Sequence, residues 1–292
     1  MIGRNVWDGV VSAAADHGVS VTADTARPLR GGSINAAWRV NSNAGTLFVK
    51  FNDAGRHDMF VAEAAGLAEL AQANAVRVPD VICTGAVAKK SFLLLEFIEL
   101  QAGRNTAARR LGSALASLHA CQAKEFGWNR DNTIGTTTQI NTPDKDWVSF
   151  FWRRRLAYQL DLARSAGARR LADLGVRLNE RMPLFFSGVT VTPALLHGDL
   201  WGGNWASCDD QPVIFDPAVY YGDPESDIAM TSLFGGFPPA FYDAYRAQRP
   251  DQPGGEQRRE LYRLYHVLNH FNLFGGGYAA QAERMIKALL KE

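Results

Sequence analysis

A glycine-rich stretch near the middle of the chain restricts its fold more than any other feature. It reads LLHGDLWGGN over residues 195–204 and begins with apolar residues that can anchor it in a core. Three glycines permit a tightly folded loop, because glycine adopts backbone angles that other residues avoid. The loop presents the carboxylate of Asp199 and, five residues later, the carboxamide of Asn204. Twelve residues after Asn204, a short apolar segment ends at a second carboxylate, Asp216.

Two carboxylates and an amide on loops beside buried strands suit a phosphoryl-transfer site. Asp199 would orient a substrate hydroxyl and take its proton, while Asn204 and Asp216 would hold Mg²⁺ on nucleotide phosphates, since Mg²⁺ prefers hard oxygen ligands. A pair of Asx-turns in a glycine-rich loop would use the same residue types with no chemistry. The HGD triplet alone does not separate these alternatives, but the full spacing favours phosphoryl transfer.

A lysine and a glutamate precede this loop in the order that such a site needs. Lys50 lies in the apolar strand LFVKF, although β-strands are depleted in lysine, and its ammonium could reach nucleotide phosphates. Glu63 follows on an amphipathic helix over 57–74 and could pair with Lys50. Taken singly, Lys50 could instead protect an edge strand, and Glu63 could be a solvated helix residue.

Small residues come before the lysine strand and could approach phosphate through backbone N–H groups. They are Gly31, Gly32, Ser33, Ile34 and Asn35. The segment is neither a Walker A loop nor a dinucleotide-binding motif, and an ordinary hairpin turn is an equal alternative. Further on, the strand over 91–99 contains Glu96, Phe97 and Ile98, and its backbone could bind adenine unless it is simply an edge strand that ends there.

Hydrophobic patterning divides the chain into a strand-rich first third and a helix-rich remainder. We expect an α+β, two-lobed fold, with an N-lobe of antiparallel sheet plus helix over 1–98 and a larger, mostly helical C-lobe over 99–292. In the N-lobe we expect a helix over 1–24, a hairpin over 29–51 and two strands, over 81–87 and 91–99. In the C-lobe we expect helices over 106–122, 146–166, 168–181, 226–233, 238–248, 255–273 and 276–291.

Charge and cysteine content restrict the class of protein. The 31 Lys and Arg residues nearly balance the 30 Asp and Glu residues, so the net charge of +1 favours neither nucleic acid nor a membrane as a partner. Three widely spaced cysteines are typical of reduced thiols. The first residues do not read as a signal peptide, and no apolar stretch is long enough to span a bilayer. We therefore expect a cytoplasmic protein, and we expect a monomer.

Two charged segments are expected to be structural. Asp227 precedes an apolar helix, where acidic residues usually cap the helix, and it could also bond the catalytic loop. The run from Arg153 to Arg155 reads as a solvated helix face rather than as an anion site.

With these parts in place, the chain resembles the fructosamine kinase (ketosamine-3-kinase) family, within the broader aminoglycoside phosphotransferase and protein-kinase-like fold. The segments that carry the resemblance are LLHGDLWGGN, FDPAVYYGDPESDIAMTSLFGGF and LYRLYHVLNHFNLFGGGY. Trp201 and the DPAVYYG continuation resemble the ketosamine branch more than aminoglycoside or choline kinases. The family's loop cysteine has no counterpart in GGSIN, so the resemblance implies no thiol switch there.

The resemblance implies an ATP- and Mg²⁺-dependent kinase acting on the C3 hydroxyl of a sugar attached to an amine, free or protein-bound, whose unstable 3-phosphate then releases the amine. It implies Asp199 as the catalytic base and Asn204 and Asp216 as Mg²⁺ ligands. Trp201 and His197 are the expected substrate contacts. The nucleotide would be bound by Lys50 and Glu63 together with residues 31–35 and 96–98. The alternatives are a kinase for an aminoglycoside-like or choline-like hydroxyl compound, and a kinase-like binding module without activity.

Overall fold

A five-stranded antiparallel sheet forms the first part of the computed structural model, which describes residues 2–30 and 34–291. The strands lie in the order β1-β2-β3-β5-β4. The bounds of this part are α1 (Arg4–Ala15), β1 (Val21–Pro28), β2 (Ala36–Ser42), β3 (Gly45–Asp53), α2 (His57–Gln72), β4 (Val81–Val87) and β5 (Lys90–Glu96). The predicted boundary between residues 98 and 99 lies just after β5 and stays a prediction.

The central strands are covered on both faces, because successive side chains of a strand point to opposite sides. Along β5, Phe92 and Leu94 pack with α1, whereas Leu93 and Leu95 pack into the larger core that contains α2. Lys50 on β3 is paired directly with Leu93. Directly paired residues share a face, so the lysine points toward α2.

The rest of the chain is mostly helical, as expected, and completes a two-lobed α+β fold. Its helices are α3 (Asn105–Leu118), α4 (Trp147–Phe151), α5 (Ala157–Ser165), α6 (Arg169–Phe185), α7 (Glu225–Thr231), α8 (Pro239–Gln248), α9 (Gly255–Phe274) and α10 (Tyr278–Leu290). Its short strands are β6 (Asn132–Ile134), β7 (Thr137–Gln139), β8 (Ala194–Leu196), β9 (Trp205–Cys208), β10 (Gln211–Ile214) and β11 (Tyr220–Gly222). They form three two-stranded sheets, β6-β7, β8-β11 and β9-β10.

Two sequence predictions need correction, and one hairpin was missed. The first helix is shorter than 1–24, because it ends at Ala15 and the edge strand β1 begins at Val21. The hairpin formed by β6 and β7 was not predicted. Arg155 does not lie on a solvated face: it is fully buried, 4.1 Å from the ring centroid of Tyr220 and 4.9 Å from that of Phe150. A π-helical turn over Trp152–Leu156 joins α4 to α5 and shifts the helical register, which turns Arg155 inward.

No helix within residues 2–30 and 34–291 is long and apolar enough to cross a membrane.

Candidate active site

Two short antiparallel pairs hold the loops that carry the predicted catalytic groups. The pair β8-β11 ends where the glycine-rich loop begins, with Leu196 opposite Tyr220. The pair β9-β10 follows the loop and ends at Ile214, two residues before Asp216. The backbone amide of Ala218 donates to the carbonyl of His197 at 2.9 Å. The loop and the segment after β10 are therefore fixed side by side.

A buried carboxylate fixes the start of the glycine-rich loop. Asp227, on α7, accepts hydrogen bonds from the backbone amides of His197 at 2.8 Å and Gly198 at 2.9 Å. It also accepts from Nε2 of the buried His119 at 3.2 Å. Burial alone would raise the pKa of Asp227, but these donors lower it below its usual value, so the group is ionised. The prediction that Asp227 bonds the catalytic loop is confirmed by these contacts.

The network continues outward from Asp227 to residues that the sequence did not indicate. Burial lowers the pKa of His119, so its imidazole is neutral. Because Nε2–H donates to Asp227, Nδ1 of His119 accepts from the hydroxyl of Tyr245 at 2.8 Å. His119 and Tyr245 come from α3 and α8, and only the tertiary fold brings them to the loop.

His197 lies beneath the loop rather than on its open side. Its side chain is fully buried, and its pKa is lowered by burial. Nδ1 accepts from the backbone amide of Asp199 at 3.3 Å, and Nε2–H donates to the carbonyl of Phe215 at 3.1 Å. Both ring nitrogens bond the backbone, which does not support the predicted contact with substrate. The geometry instead favours a positioning role, since His197 joins the two segments that carry Asp199 and Asp216.

Asp199 and Asn204 contact each other across the loop. Nδ2 of Asn204 donates to the backbone carbonyl of Asp199 at 2.9 Å and to its Oδ2 at 3.3 Å. Burial is the larger cause and the charge of Asp216 the smaller one that together raise the pKa of Asp199 to about 7. The hydrogen bond from Asn204 opposes this rise. The amide nitrogen of Asn204 makes these bonds, and no described residue donates to its Oδ1, so that atom is available to coordinate a cation.

Lys50 joins the sheet to both of its predicted partners. Its Nζ lies 2.5 Å from Oε1 of Glu63 and 2.5 Å from Oδ1 of Asp216. Burial acts to lower the pKa of Lys50, but the charges of Asp216 and Glu63 raise it above its usual value. An ammonium has three N–H donors, so one remains for a phosphate oxygen. Neither an edge-strand nor a solvated-helix role describes this pair, because the side chains of Lys50 and Glu63 are only 7% and 12% exposed.

The side-chain oxygen atoms of Asn204 and Asp216 are of the kind that Mg²⁺ prefers, and their role as Mg²⁺ ligands stays a prediction. Within the described part of the chain, no group of three or more His, Cys, Asp or Glu residues could hold a metal. Mg²⁺ in nucleotide sites needs no such cage, because one or two protein oxygens suffice beside phosphate and water. Asp216 also adopts a left-handed backbone conformation, with φ of 56°. Such strain in a non-glycine residue is found preferentially at functional sites.

The predicted phosphate loop is described only in part. Gly31, Gly32 and Ser33 lie outside the described residues. Asn35 is tied to the lysine strand, because Nδ2 of Asn52 donates to its Oδ1 at 2.7 Å and to the carbonyl of Ile34 at 3.4 Å. The end of this loop is therefore attached two residues beyond Lys50.

The predicted adenine-binding segment leaves β5 between the two lobes. The backbone amide of Glu96 already donates to the carbonyl of Asp80 at 2.8 Å, and its carboxylate pairs with Arg77 at 2.6 Å. Glu96 could therefore offer adenine only its carbonyl. Among the described residues, the backbone amide of Ile98 has no backbone partner. An acceptor and a donor two residues apart match what an adenine edge requires, so the nucleotide role of Glu96 to Ile98 stays a prediction that the geometry allows.

Trp201, unlike the buried His197, is exposed to solvent. It follows Asp199 by two residues and is 38% exposed. Its ring meets that of Phe234 edge-on, with 6.2 Å between centroids. Because Trp201 is exposed and close to Asp199 in the chain, the structure allows its predicted contact with substrate, which stays a prediction.

Comparison with known proteins gives consistent results. The chain matches the fructosamine kinase family over residues 7–292. A probable ketoamine kinase of Synechocystis sp. is 47% identical over 274 residues, which cover 91% of this chain and 90% of that protein. The chloroplastic protein-ribulosamine 3-kinase of Oryza sativa subsp. indica is 44% identical over 266 residues, which cover 89% of this chain and 77% of that protein. A crystal structure of a candidate fructosamine-3-kinase from Haemophilus somnus superposes with a TM-score of 0.88 at 30% identity over 97% of both chains.

Proposed function

The chain belongs to the fructosamine kinase family, and we propose that it transfers the γ-phosphoryl group of ATP to the C3 hydroxyl of a ketosamine. The names of the similar proteins from Synechocystis and Oryza support this acceptor class. The acceptor's amine belongs to a small metabolite or to a glycated protein, and the amine is released after phosphorylation.

One observation carries the proposal: four groups of the expected kinds meet at one place. Nζ of Lys50 lies 2.5 Å from Oδ1 of Asp216, and Nδ2 of Asn204 donates to Oδ2 of Asp199 at 3.3 Å. The Ala218–His197 backbone bond holds the two halves together at 2.9 Å. A base, two oxygen ligands and a phosphate-binding cation are the minimal parts of a phosphoryl-transfer site.

The proposed reaction forms a bond between the C3 oxygen and the γ-phosphorus and breaks the bond from that phosphorus to the β,γ-bridging oxygen. Asp199 orients the hydroxyl and takes its proton late, because the transition state is loose and needs no early alkoxide. Lys50 neutralises charge on the phosphates, and Glu63 keeps its ammonium in place. Asn204 and Asp216 would hold Mg²⁺, which supplies further neutralisation of the phosphate charge when it is bound.

The test measures ADP release with Mg-ATP and a panel of ketosamines: ribulosamine, erythrulosamine and fructosamine, each free and protein-bound. An aminoglycoside and choline are assayed in parallel. We expect turnover with at least one sugar and its loss by at least ~10³-fold in Asp199→Asn, since the base is then missing. Binding of a fluorescent ATP analogue should persist in that variant, which shows that the site is folded. Turnover of an aminoglycoside or choline but of no ketosamine would refute the proposed acceptor. Wild-type rates in Asp199→Asn would refute its role as base.

A further inference from the structure

A row of aromatic rings leads away from the catalytic loop. Trp201 contacts Phe234 at 6.2 Å between centroids, and Phe234 contacts His270 at 4.6 Å. His270 contacts Phe274 at 5.6 Å and Tyr278 at 5.3 Å. These five residues, which we call the aromatic wall, connect the catalytic loop with the junction of α9 and α10.

The wall is open to solvent, unlike most of the large apolar side chains. Trp201 and Phe274 are 38% and 57% exposed, and the other three members are partly exposed. Among the large hydrophobic side chains that are exposed in the described chain, the two aromatic ones both belong to the wall. Contiguous exposed apolar surface on a folded protein usually marks a binding site.

One end of the wall adjoins the catalytic loop, and the other end adjoins the turn between β6 and β7. At one end, Trp201 follows Asp199 by two residues. At the other end, Leu273 precedes Phe274 and lies at the turn between β6 and β7. A Cβ atom built on Gly135 in that turn would lie 2.8 Å from Cδ1 of Leu273 and 3.6 Å from Cδ1 of Ile34, at the end of the predicted phosphate loop. A ligand on the wall would thus extend from the base along the open edge of the site.

The wall has the chemistry to accept a cation with an apolar substituent. Ring faces attract ammonium groups through their quadrupoles. Burial lowers the pKa of His270, although its Nδ1–H donates to the carbonyl of His266 at 2.9 Å, so its imidazole is neutral near pH 7. A neutral ring does not repel a protonated amine, and the other four members of the wall are Trp, Phe and Tyr rings without a cationic group.

We propose that the aromatic wall binds the amine-bearing half of the ketosamine, namely its protonated secondary amine and the first apolar part of its substituent. This inference rests on the proposed function, which already places the sugar hydroxyl at Asp199. The wall then sets which amines are accepted, and Phe274, as its most exposed ring, contacts the substituent farthest from the sugar.

The test compares kcat/KM for two ketosamines of one sugar, with an N-methyl and an N-benzyl substituent, in the full-length enzyme with Mg-ATP. Phe274→Ala removes the outer ring, and Phe274→Leu keeps apolar volume without a ring. The matched control is Leu184→Ala, which removes another exposed apolar side chain, 65% exposed, on α6. Thermal unfolding of each variant verifies that it is folded.

We expect Phe274→Ala to lower kcat/KM about fivefold to tenfold for the N-benzyl compound and about twofold for the N-methyl compound. Phe274→Leu should lower kcat/KM for the N-benzyl compound by an amount between these two losses. Leu184→Ala should leave kcat/KM unchanged for both compounds. Equal losses for both compounds in Phe274→Ala, or no loss in either, would overturn the assignment. If the wild-type enzyme phosphorylates neither compound while acting on a different class of hydroxyl substrate, the proposed function itself fails.

Discussion

Replacement of Gly198 by alanine should destabilise the protein and stop turnover, because two costs coincide at this position. Its φ of +83° lies in the left-handed region, where an L side chain costs about 1–2 kcal/mol. A Cβ atom there would also overlap the carbonyl oxygen of Ala218. Relief of that overlap requires the loop to separate from the segment after β10, which strains the 2.9 Å bond from the Ala218 amide to the carbonyl of His197.

The overlap can be separated from the backbone cost by a matched variant. Gly18 has a similar φ of +75°, and nothing lies within 4 Å of a Cβ built on it. Gly18→Ala should therefore lower the free energy of unfolding by about 1–2 kcal/mol. Gly198→Ala adds overpacking and a strained hydrogen bond, for a loss of roughly 3–6 kcal/mol. Urea unfolding followed by tryptophan fluorescence measures both values.

The same pair predicts different activities. A shift of Ala218 moves Asp216, two residues earlier, away from Asp199, so Gly198→Ala should release no ADP above background even at temperatures where it is folded. Gly18→Ala should retain wild-type turnover, since Gly18 lies between α1 and β1. Equal stabilities of the two variants, or full activity in folded Gly198→Ala, would contradict this reasoning.

Three further outcomes are expected. Asp227→Asn should lower the free energy of unfolding by about 2–4 kcal/mol, because one backbone donor of the loop loses its acceptor. Tyr245→Phe, at the edge of the same network, should lower it by about 1 kcal/mol. Urea unfolding measures both values. Glu63→Gln should raise the KM for ATP in steady-state assays about tenfold, because Lys50 loses the charge that positions it; an unchanged KM would contradict the pairing. Burial lowers the pKa of His266 to about 3, so below pH 6.5 the unfolded chain binds a proton that the folded chain does not. His266 should therefore contribute a loss of stability of about 1.4 kcal/mol per pH unit between pH 6 and 4, and the slope in pH-dependent unfolding of His266→Leu should differ from that of the wild type by this amount.

Site residues could be predicted from the sequence for two different reasons: close spacing in the chain, or an unusual residue type for its surroundings. The interval from Asp199 to Asn204 lies within one loop, so the chain itself keeps the two groups close. Lys50 and Asp216 are far apart in sequence, yet both were predicted because a lysine among apolar strand residues and an aspartate after a short buried segment are unusual. In the structure Lys50 contacts the carboxylate of Asp216, and Asn204 contacts both the carboxylate of Asp199 and the backbone carbonyl of Asp216.

Other residues could not be predicted, because their environment depends on the tertiary fold. His197 is of a residue type that is common in active sites. Its two ring nitrogens nevertheless bond to backbone groups that reach them only in the folded protein. Arg155 belongs to a run of three arginines that reads as a solvated surface. A π-helical turn rotates it among aromatic rings, and such a change of helical period has no signature in the local pattern.

The segment that carries Asp216 is fixed from both sides. In front, Lys50 pairs with its carboxylate at 2.5 Å. Behind, buried amides of the β6-β7 hairpin hold the following residues: Gln139 donates to the carbonyl of Ala218 at 3.0 Å and Asn132 to that of Val219 at 2.8 Å. These contacts explain how a left-handed aspartate persists, since a strained conformation needs surroundings that determine it. If Asp216 binds nucleotide-bound Mg²⁺ as proposed, these protein contacts alone hold its carboxylate in position, so binding would not carry the cost of ordering this segment.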